Sequence, residues 1–515
     1  MLGETTKSSR IATNTLMLYG RMLILMVINL ITIRIVLIAL GLEDYGIYNA
    51  VAGVITMLNC VSSVLANATQ RFYSIQLGRN DVKGLARVFS VSLDVYIILI
   101  LGVTIIGETI GLWFVNNKLV IPEARMLAAN WTYQLSLLTF IVTILPMPYL
   151  SAILAHEKMG AYSIITTCEY VIKLLLAFLL AKLKGDVLIY YAFFQFVAQL
   201  LLMIAYIIYG KRRFYECRYH PFNKDEMHKE ILSFSGWTLF GSVAGIGMNQ
   251  VMTILYNIFF GPLLTGARAI SLQLNAALTS FSNSFIVAIR PPMIKSYSES
   301  NDEYLMKLFN MGNKFILFSL AMVSIPIFLE MDVILKLWLK VTDPITIKYS
   351  QLIIVYFLIL ALNTPISIII QAIGKVKEYH LRVEFFTILC PIITYILFKC
   401  GCNSYYGFFA MILTITLSHI VRLICLKKYY SPFSIRKYFS DFVLTASIIT
   451  LVAFFLGYLI HILVEPVFLR FLLICLFSIV FISVSAYFIG MNRQEREEIK
   501  GFVTGTINQI FHKNK

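Results

Sequence analysis

Apolar runs of about twenty residues or more recur from one end of the chain to the other, separated by short polar breaks, and such a run spans a bilayer when helical. Fourteen can be read, over residues 11–40, 46–70, 88–115, 127–154, 161–183, 188–209, 231–260, 266–289, 313–331, 347–372, 383–399, 404–425, 441–464 and 467–490. Lipid offers the backbone no hydrogen bonds, so each run must satisfy its own as a helix. Composition excludes the alternatives. Of 515 residues, 59% are apolar and 14% charged, with mean hydropathy +0.80, against about 25% charged residues in a soluble domain. No water-soluble core of this size buries so much apolar surface. A soluble enzyme, a disordered chain and a secreted disulfide scaffold are ruled out. The expectation is an all-α polytopic membrane protein with about 14 transmembrane helices. The first run is too long for a signal-peptide core and reads as the first span. Pro146 and Pro148 are expected to break the fourth.

The net charge of +16 is distributed as topology rather than as a binding patch. With the N-terminus inside, 30 Lys and Arg fall in inside segments and 10 in outside segments. Three more, Arg21, Arg34 and Lys173, lie within spans. The bias places both termini in the cytoplasm and residues 41–46 and 261–266 at the outer face. The basic stretch Lys211–Arg213 with Arg218 suits anionic headgroups and topology, not nucleic acid. Cys400 and Cys402 form a single C-x-C without a second pair or nearby His, so no metal site is expected.

Shifting the chain by 220 residues lays Asn29 on Asn249, Gly41 on Gly261, Gly46 on Gly266, Ser62 on Ser282 and Ala68 on Ala288. The two Gly-x4-Gly segments each join two apolar runs, where a tight turn needs glycine's backbone freedom. A repeat offset by six spans is parallel. It divides the chain into an N-terminal lobe (1–210), an inter-lobe loop (211–230), a C-terminal lobe (231–430), a helix pair (431–490) and an amphipathic cytoplasmic tail (491–515). In the tail, Ile499, Phe502, Ile510 and Phe511 share one face.

No P-loop, zincin or nucleophile-elbow motif occurs, and no catalytic residue is assigned. Function must then lie in polar groups placed where lipid penalises them. Arg21 sits about 15 Å into span one at 1.5 Å per residue and should face protein or water. Span two carries Asn49, Asn59, Asn67 and Gln70 on one face. Span eight carries Asn275 in a similar stripe that ends at Arg290, and span seven adds Asn249. Small polar residues also bond neighbouring helices, but matched stripes in both halves favour a wet cavity between the lobes. Asp94 and Glu108 lie fourteen residues apart on span three. Glu169 and Lys173, at i and i+4 on span five, can pair; they are either a packing pair or a charged site. Such acids suit H+ or Na+ coupling, and no other cofactor is expected.

The stretch Leu40-Gly41-Leu42-Glu43-Asp44-Tyr45-Gly46-Ile47-Tyr48-Asn49, then Ala68-Thr69-Gln70-Arg71-Phe72 and Leu77-Gly78, resembles bacterial polysaccharide flippases. These are the Wzx-type exporters of O-antigen and related glycans, within the multidrug, oligosaccharidyl-lipid and polysaccharide (MOP) exporter superfamily. Gln371-Ala372-Ile373-Gly374-Lys375-Val376-Lys377 and Leu335-Lys336-Leu337-Trp338-Leu339 resemble that family's later loops. The resemblance covers nearly the whole chain and implies twelve or fourteen helices in two lobes, alternating access, and a basic central cavity for lipid-linked diphosphate sugars. Arg21 matches the first-helix cation it implies. The expected function is export of an undecaprenyl-diphosphate-linked oligosaccharide across the bacterial inner membrane. The expected partners are that substrate, membrane lipids and a glycan polymerase or ligase machinery that would take the product. One rival is a cation-coupled multidrug exporter binding cationic amphiphiles through Asp94 or Glu108. Another is a membrane glycan polymerase or ligase, which would need a sizeable outer loop carrying catalytic residues; the outer loops here are short and poor in His, Asp and Glu. A structural scaffold is the last.

Overall fold

The computed structural model describes the backbone of residues 2–491, apart from 57–64, 67–68, 71, 74–75, 78–80, 157, 221–225 and 341–342, and again at 495–497. Side chains are described from residue 25 onward, except at 226–246, at several positions within 280–298 and at a few single positions. Among the described residues there are helices and no strand.

In chain order the helices are α1 (Leu2–Thr56) and α2 (Val82–Ile106), which runs through a π turn at Gly107–Gly111 into Leu112–Asn117. Then come α3 (Met126–Ile144), α4 (Met147–Ala155), α5 (Met159–Leu180), α6 (Val187–Arg213) and α7 (Glu226–Ser298). They are followed by α8 (Asp302–Leu329), α9 (Met331–Leu339), α10 (Pro344–Ala361), α11 (Asn363–Ile373), α12 (Val376–Lys399) and α13 (Tyr405–Tyr429). The last are α14 (Ile435–Tyr438), a π turn at Phe439–Leu444, α15 (Thr445–Leu463) and α16 (Val467–Ser485), which ends in a third π turn at Ala486–Gly490. Among the described residues, 11 helices are long and apolar enough to cross a membrane. The chain is a multi-pass membrane protein. Large apolar side chains such as Ile98, Ile105, Phe455 and Phe468 stay exposed, as lipid contact allows. The break expected at Pro146 and Pro148 is present: α3 stops at Ile144 and α4 restarts at Met147.

By backbone proximity the chain divides into two compact units. One comprises residues 1–269 with 390–407, and the other 270–389 with 408–515. In the first, α3 packs along α6 and α1, and α5 packs against α1 and α6. In the second, α15 and α16 pack on each other and on α8. There Glu330, between α8 and α9, is fully buried and anchors the C-terminal helix pair. Arg470 grips it through Nε and Nη2 at 2.6 and 2.7 Å, and His461 Nδ1 lies 2.7 Å from Oε1.

Two backbone positions define the turns of the first unit. Gly41 breaks α1 at φ 78°, ψ 171°, and Gly261 breaks α7 at φ 79°, ψ −178°. That conformation is essentially open only to glycine. The two residues are partners in the 220-residue repeat and adopt the same geometry. Their companions dock reciprocally. A Cβ on Gly46 would lie 1.9 Å from the Pro262 carbonyl oxygen, and one on Gly266 would lie 2.2 Å from the Leu42 carbonyl oxygen. Leu42 and Pro262 are themselves 220 residues apart, so the contact is a pseudo-symmetric clasp of backbone against backbone. Gly46→Ala and Gly266→Ala should each destabilise the protein by roughly 1–3 kcal/mol, the usual scale of overpacking. Gly102→Ala, whose new methyl meets nothing within 4 Å, should be neutral. Melting curves of detergent-solubilised variants check this; equal midpoints for all three would refute the clasp.

Candidate functional site

The first unit contains most of the expected charged residues, and nearly all have found partners. Lys173 Nζ donates to Glu169 Oε1 at 2.6 Å across one turn of α5, and Gln199 Nε2 from α6 donates to the same oxygen at 3.1 Å. Asp94 accepts the Tyr219 hydroxyl at 2.9 Å, and Glu108 accepts Gln134 Nε2 at 3.0 Å. The π turn at Gly107–Gly111 holds Glu108, and the two acids answer to different elements. Asn49 turns its amide back onto the Tyr45 carbonyl, 2.7 Å away. Asn249 lends its carbonyl to Thr253, and Gln70 is half-buried on a helical stretch. Arg21 lies on α1 with its side chain outside the described set, and Asn59 and Asn67 are outside the described residues. So are Ile499, Phe502, Ile510 and Phe511 of the tail.

A cleft among α1, α3 and α6 is lined by Tyr48, Thr56, Ser136, Thr139, Thr143 and Gln195. Ser136, Thr139 and Thr143 spend their protons on their own helix, each donating to the carbonyl four residues back at 2.7 Å. The cleft holds about 70 Å³, room for a couple of waters at ~30 Å³ each, and no Asp, Glu, Lys or Arg lines it. It is too small and too neutral for an ionic sugar.

Two ionic clusters in this unit were not anticipated. Arg125 clamps Asp44 with Nε and Nη2 at 2.9 and 2.6 Å and Asp186 with Nη1 and Nη2 at 2.8 and 3.0 Å. The clamp ties the α1 turn to the starts of α3 and α6. The basic residues Lys211, Arg212, Arg213 and Arg218 stay exposed, while Phe214, Glu216 and Cys217 between them dock. Lys211–Arg213 completes α6, Phe214 stacks on His156 at 4.4 Å, and Glu216 pairs with His156 Nε2 at 2.6 Å. Burial pushes the Cys217 thiol up to about 12, so it stays neutral.

The second unit holds a different arrangement. On α11, Asn363, Ser367 and Gln371 follow one another at four-residue spacing, so they share a face with about 6 Å between successive members. Each is met by a nitrogenous side chain. His419 Nδ1 donates to Asn363 Oδ1 at 2.8 Å. Arg422 Nη1 donates to Ser367 Oγ at 3.1 Å and to the Tyr379 hydroxyl, with its guanidinium carbon 5.2 Å from the Tyr379 ring centroid. Its Nε reaches Ser418 Oγ at 3.4 Å. Arg290 Nη2 donates to Gln371 Oε1 at 2.5 Å and is exposed. Asn275 lies elsewhere on α7, half-buried, its carbonyl accepting from Thr279.

The charge state of this face is its distinguishing feature. Arg125, Arg470 and Lys173 each bond a carboxylate, whereas Arg290 and Arg422 rest on an amide, hydroxyls and a ring. Neither forms an ion pair among the described residues. Of the expected site residues whose side chains are described, only Arg290 belongs to this face. Arg422, His419, Ser367 and Gln371 escaped the sequence reading, although the i, i+4, i+8 polar spacing on an otherwise apolar α11 was the available signal. Among the described residues no group of three or more His, Cys, Asp or Glu could hold a metal ion.

A family model described as "Polysaccharide biosynthesis protein" matches residues 11–297, more than half of the chain. No curated protein matches the sequence. Among solved structures, the fold is similar to an inward-facing multidrug resistance MATE family transporter of the MOP superfamily. That match has TM-score 0.67 and 15% identity over 79% of this chain and 95% of that one. It is also similar to the lipid II flippase MurJ in an inward closed conformation, with TM-score 0.67 and 16% identity over 92% of this chain and 98% of that one. These likenesses show that the chain shares the fold of those structures.

The Glu169–Lys173 pair yields a prediction that stands apart from the basic face. Removing one partner of a buried pair leaves an uncompensated charge, at about 3–5 kcal/mol when burial is complete. At 16% and 26% side-chain exposure, the expected penalty is smaller. Glu169→Gln and Lys173→Met should each lower the membrane level, and the reversed pair Glu169→Lys with Lys173→Glu should recover most of it. Quantitative blotting checks this; a reversed pair no better than the single variants would contradict it.

Proposed function

The chain belongs to the polysaccharide biosynthesis protein family, and from that premise we propose that it is a flippase for a lipid-linked oligosaccharide, with an undecaprenyl diphosphate as the carrier. The supporting observation is the basic face of α11, where Arg290 and Arg422 meet no carboxylate among the described residues. A diphosphate brings at least two negative charges into a region of lowered dielectric, where fixed cations act strongly. Guanidinium forks suit it, because they offer paired donors to phosphate oxygens and stay charged at any physiological pH. Neutral holders such as Gln371 and Ser367 position the forks without neutralising them, so no resident anion must be displaced. The adjoining hydroxyl and amide groups can take up sugar hydroxyls.

With both termini in the cytoplasm of an inner-membrane protein, the ends of the helices bearing Arg290, Gln371 and Arg422 face inward. A lipid-linked glycan assembled on the inner leaflet would then load at the basic face. Alternating access would carry it to the outer leaflet, with the polyprenyl tail left in lipid, for a downstream polymerase or ligase. Arg21 would contribute a cation from the first lobe. Driving by H+ or Na+ would fall to Asp94 or Glu108, the acids a cation-coupled multidrug exporter would also need. Both are already engaged, by Tyr219 and Gln134, which favours the anionic substrate.

Surface-glycan complementation in a flippase-null strain, with membrane levels checked by blot, tests the reading. Charge-assisted hydrogen bonds are worth about 1.5–3 kcal/mol, so Arg290→Ala and Arg422→Ala should each cut export by roughly tenfold or more. The double variant should abolish export, and Arg290→Lys should keep part of it. Arg21→Ala should impair export, and Asp94→Asn should matter less. Normal export by all three alanine variants, with loss in Asp94→Asn, would instead support a cation-binding exporter.

A further inference from the structure

We propose that the C-terminal helix pair builds a binding site for the headgroup of a zwitterionic phospholipid carrying a primary amine, a phosphoethanolamine lipid. The site is separate from the basic face of α11, and the inference does not depend on what the protein exports. A cavity of about 540 Å³ opens among α8, the segment from Pro432 through α14 into the π turn at Phe439–Leu444, and the π turn that closes α16. That volume falls within the ~300–1,000 Å³ of small-molecule sites. Its place in the membrane follows from connectivity. One candidate span begins at Ile435 and ends at Leu463, and the next returns from Val467 to Gly490. Residues near 435 and 490 therefore lie at the same membrane boundary, and the cavity lined by both is at headgroup level.

The charges in the cavity fall into two pairs with different states. Lys314 and Glu495 are 9% and 4% exposed and satisfy each other at 2.9 and 3.1 Å, forming a neutral floor. Lys437 and Asp441 are exposed at the mouth. Four residues apart on an α-helix they would pair, but the π turn that starts at Phe439 shifts the register, and they form no ion pair with each other. Asp441 accepts the Ser440 hydroxyl instead, at 2.5 Å. π turns inside helices recur at functional sites, and two of the three in the described chain border this cavity.

One cation and one anion, held a helical turn apart and left separate, fit a ligand with the opposite arrangement. Both line the same cavity mouth about one turn apart, and the two-carbon linker of the headgroup lets its phosphate and its ammonium reach them separately. The phosphate would sit on Lys437 and the ammonium on Asp441, whose neighbour Ser440 adds an acceptor. An anionic headgroup would bring no cation to Asp441, and a quaternary ammonium would bring no N–H donors. The acyl chains have a surface to follow, since Phe439, Leu444, Phe488 and Ile489 are 45–66% exposed beside the cavity.

The test is native mass spectrometry of the full-length chain in detergent, titrated with phosphatidylethanolamine, phosphatidylcholine and phosphatidylglycerol of identical acyl chains. O-phosphoethanolamine serves as a competitor, to separate a lipid from a free phosphoester. Phosphatidylethanolamine should bind in preference to the other two. Lys437→Gln and Asp441→Asn should each weaken it about tenfold, the loss of one charge-assisted contact. Asp441→Asn should also erase the preference over phosphatidylglycerol. Because both side chains are exposed, melting temperatures should be unchanged. Equal binding of all three lipids, unchanged affinity in both variants, or full displacement by O-phosphoethanolamine at matched concentration would overturn the assignment.

Discussion

An ion in hydrocarbon is expensive, and the way this chain meets that cost organises its structure. On insertion scales a charged side chain at mid-membrane costs about 2.5–3.5 kcal/mol, and one stranded in a protein interior costs more. Many ionic groups among the described residues are accordingly paired, some across elements and others within a helix. Arg125 bridges Asp44 and Asp186, Arg470 and His461 share Glu330, Lys173 holds Glu169, and Lys314 holds Glu495. The contacts of Arg125, Glu330 and Lys314 tie separate elements together within each unit. Against that pattern, Arg290 and Arg422 rest on neutral holders around one helix face. Among the described residues neither Arg290 nor Arg422 meets a carboxylate, which is the ground of the proposed anionic substrate.

The glycine clasp supplies the other half of the architecture. Helices that must approach within backbone contact need residues without a Cβ, and lipid gives no hydrophobic push to bring them there. Gly46 and Gly266 provide the approach, and Gly41 and Gly261 provide turns of identical conformation. A repeat visible as five matches in sequence is thus realised as a two-sided lock in the first unit.

Much of this was legible in the sequence because it depends on local rules. Run length gave the helices, proline gave the break at 146–148, paired glycines gave the turns, and an i, i+4 spacing gave Glu169–Lys173. The unforeseen parts depend on distance along the chain. Glu330 meets Arg470 across 140 positions, and Arg125 meets Asp44 across 81; no periodicity encodes such partners. The basic face was half visible. Arg290 closes a polar stripe and was picked out, but Arg422 sits near the end of an apolar run beside ordinary loop lysines. Only the fold brings it to Ser367.

The central claim is that charge on the lipid carrier, not the sugar or a gradient-driven cation, is what this protein recognises. Flipping in proteoliposomes measures that directly, with two fluorescent glycolipids bearing the same oligosaccharide, one on a polyprenyl diphosphate and one on an uncharged polyprenyl ether. The account predicts that the diphosphate lipid crosses at least about tenfold faster, the equivalent of one charge-assisted contact, with the advantage vanishing when Arg290 and Arg422 are both replaced by alanine. Equal rates for the two lipids, or an advantage that survives the double replacement, would contradict it.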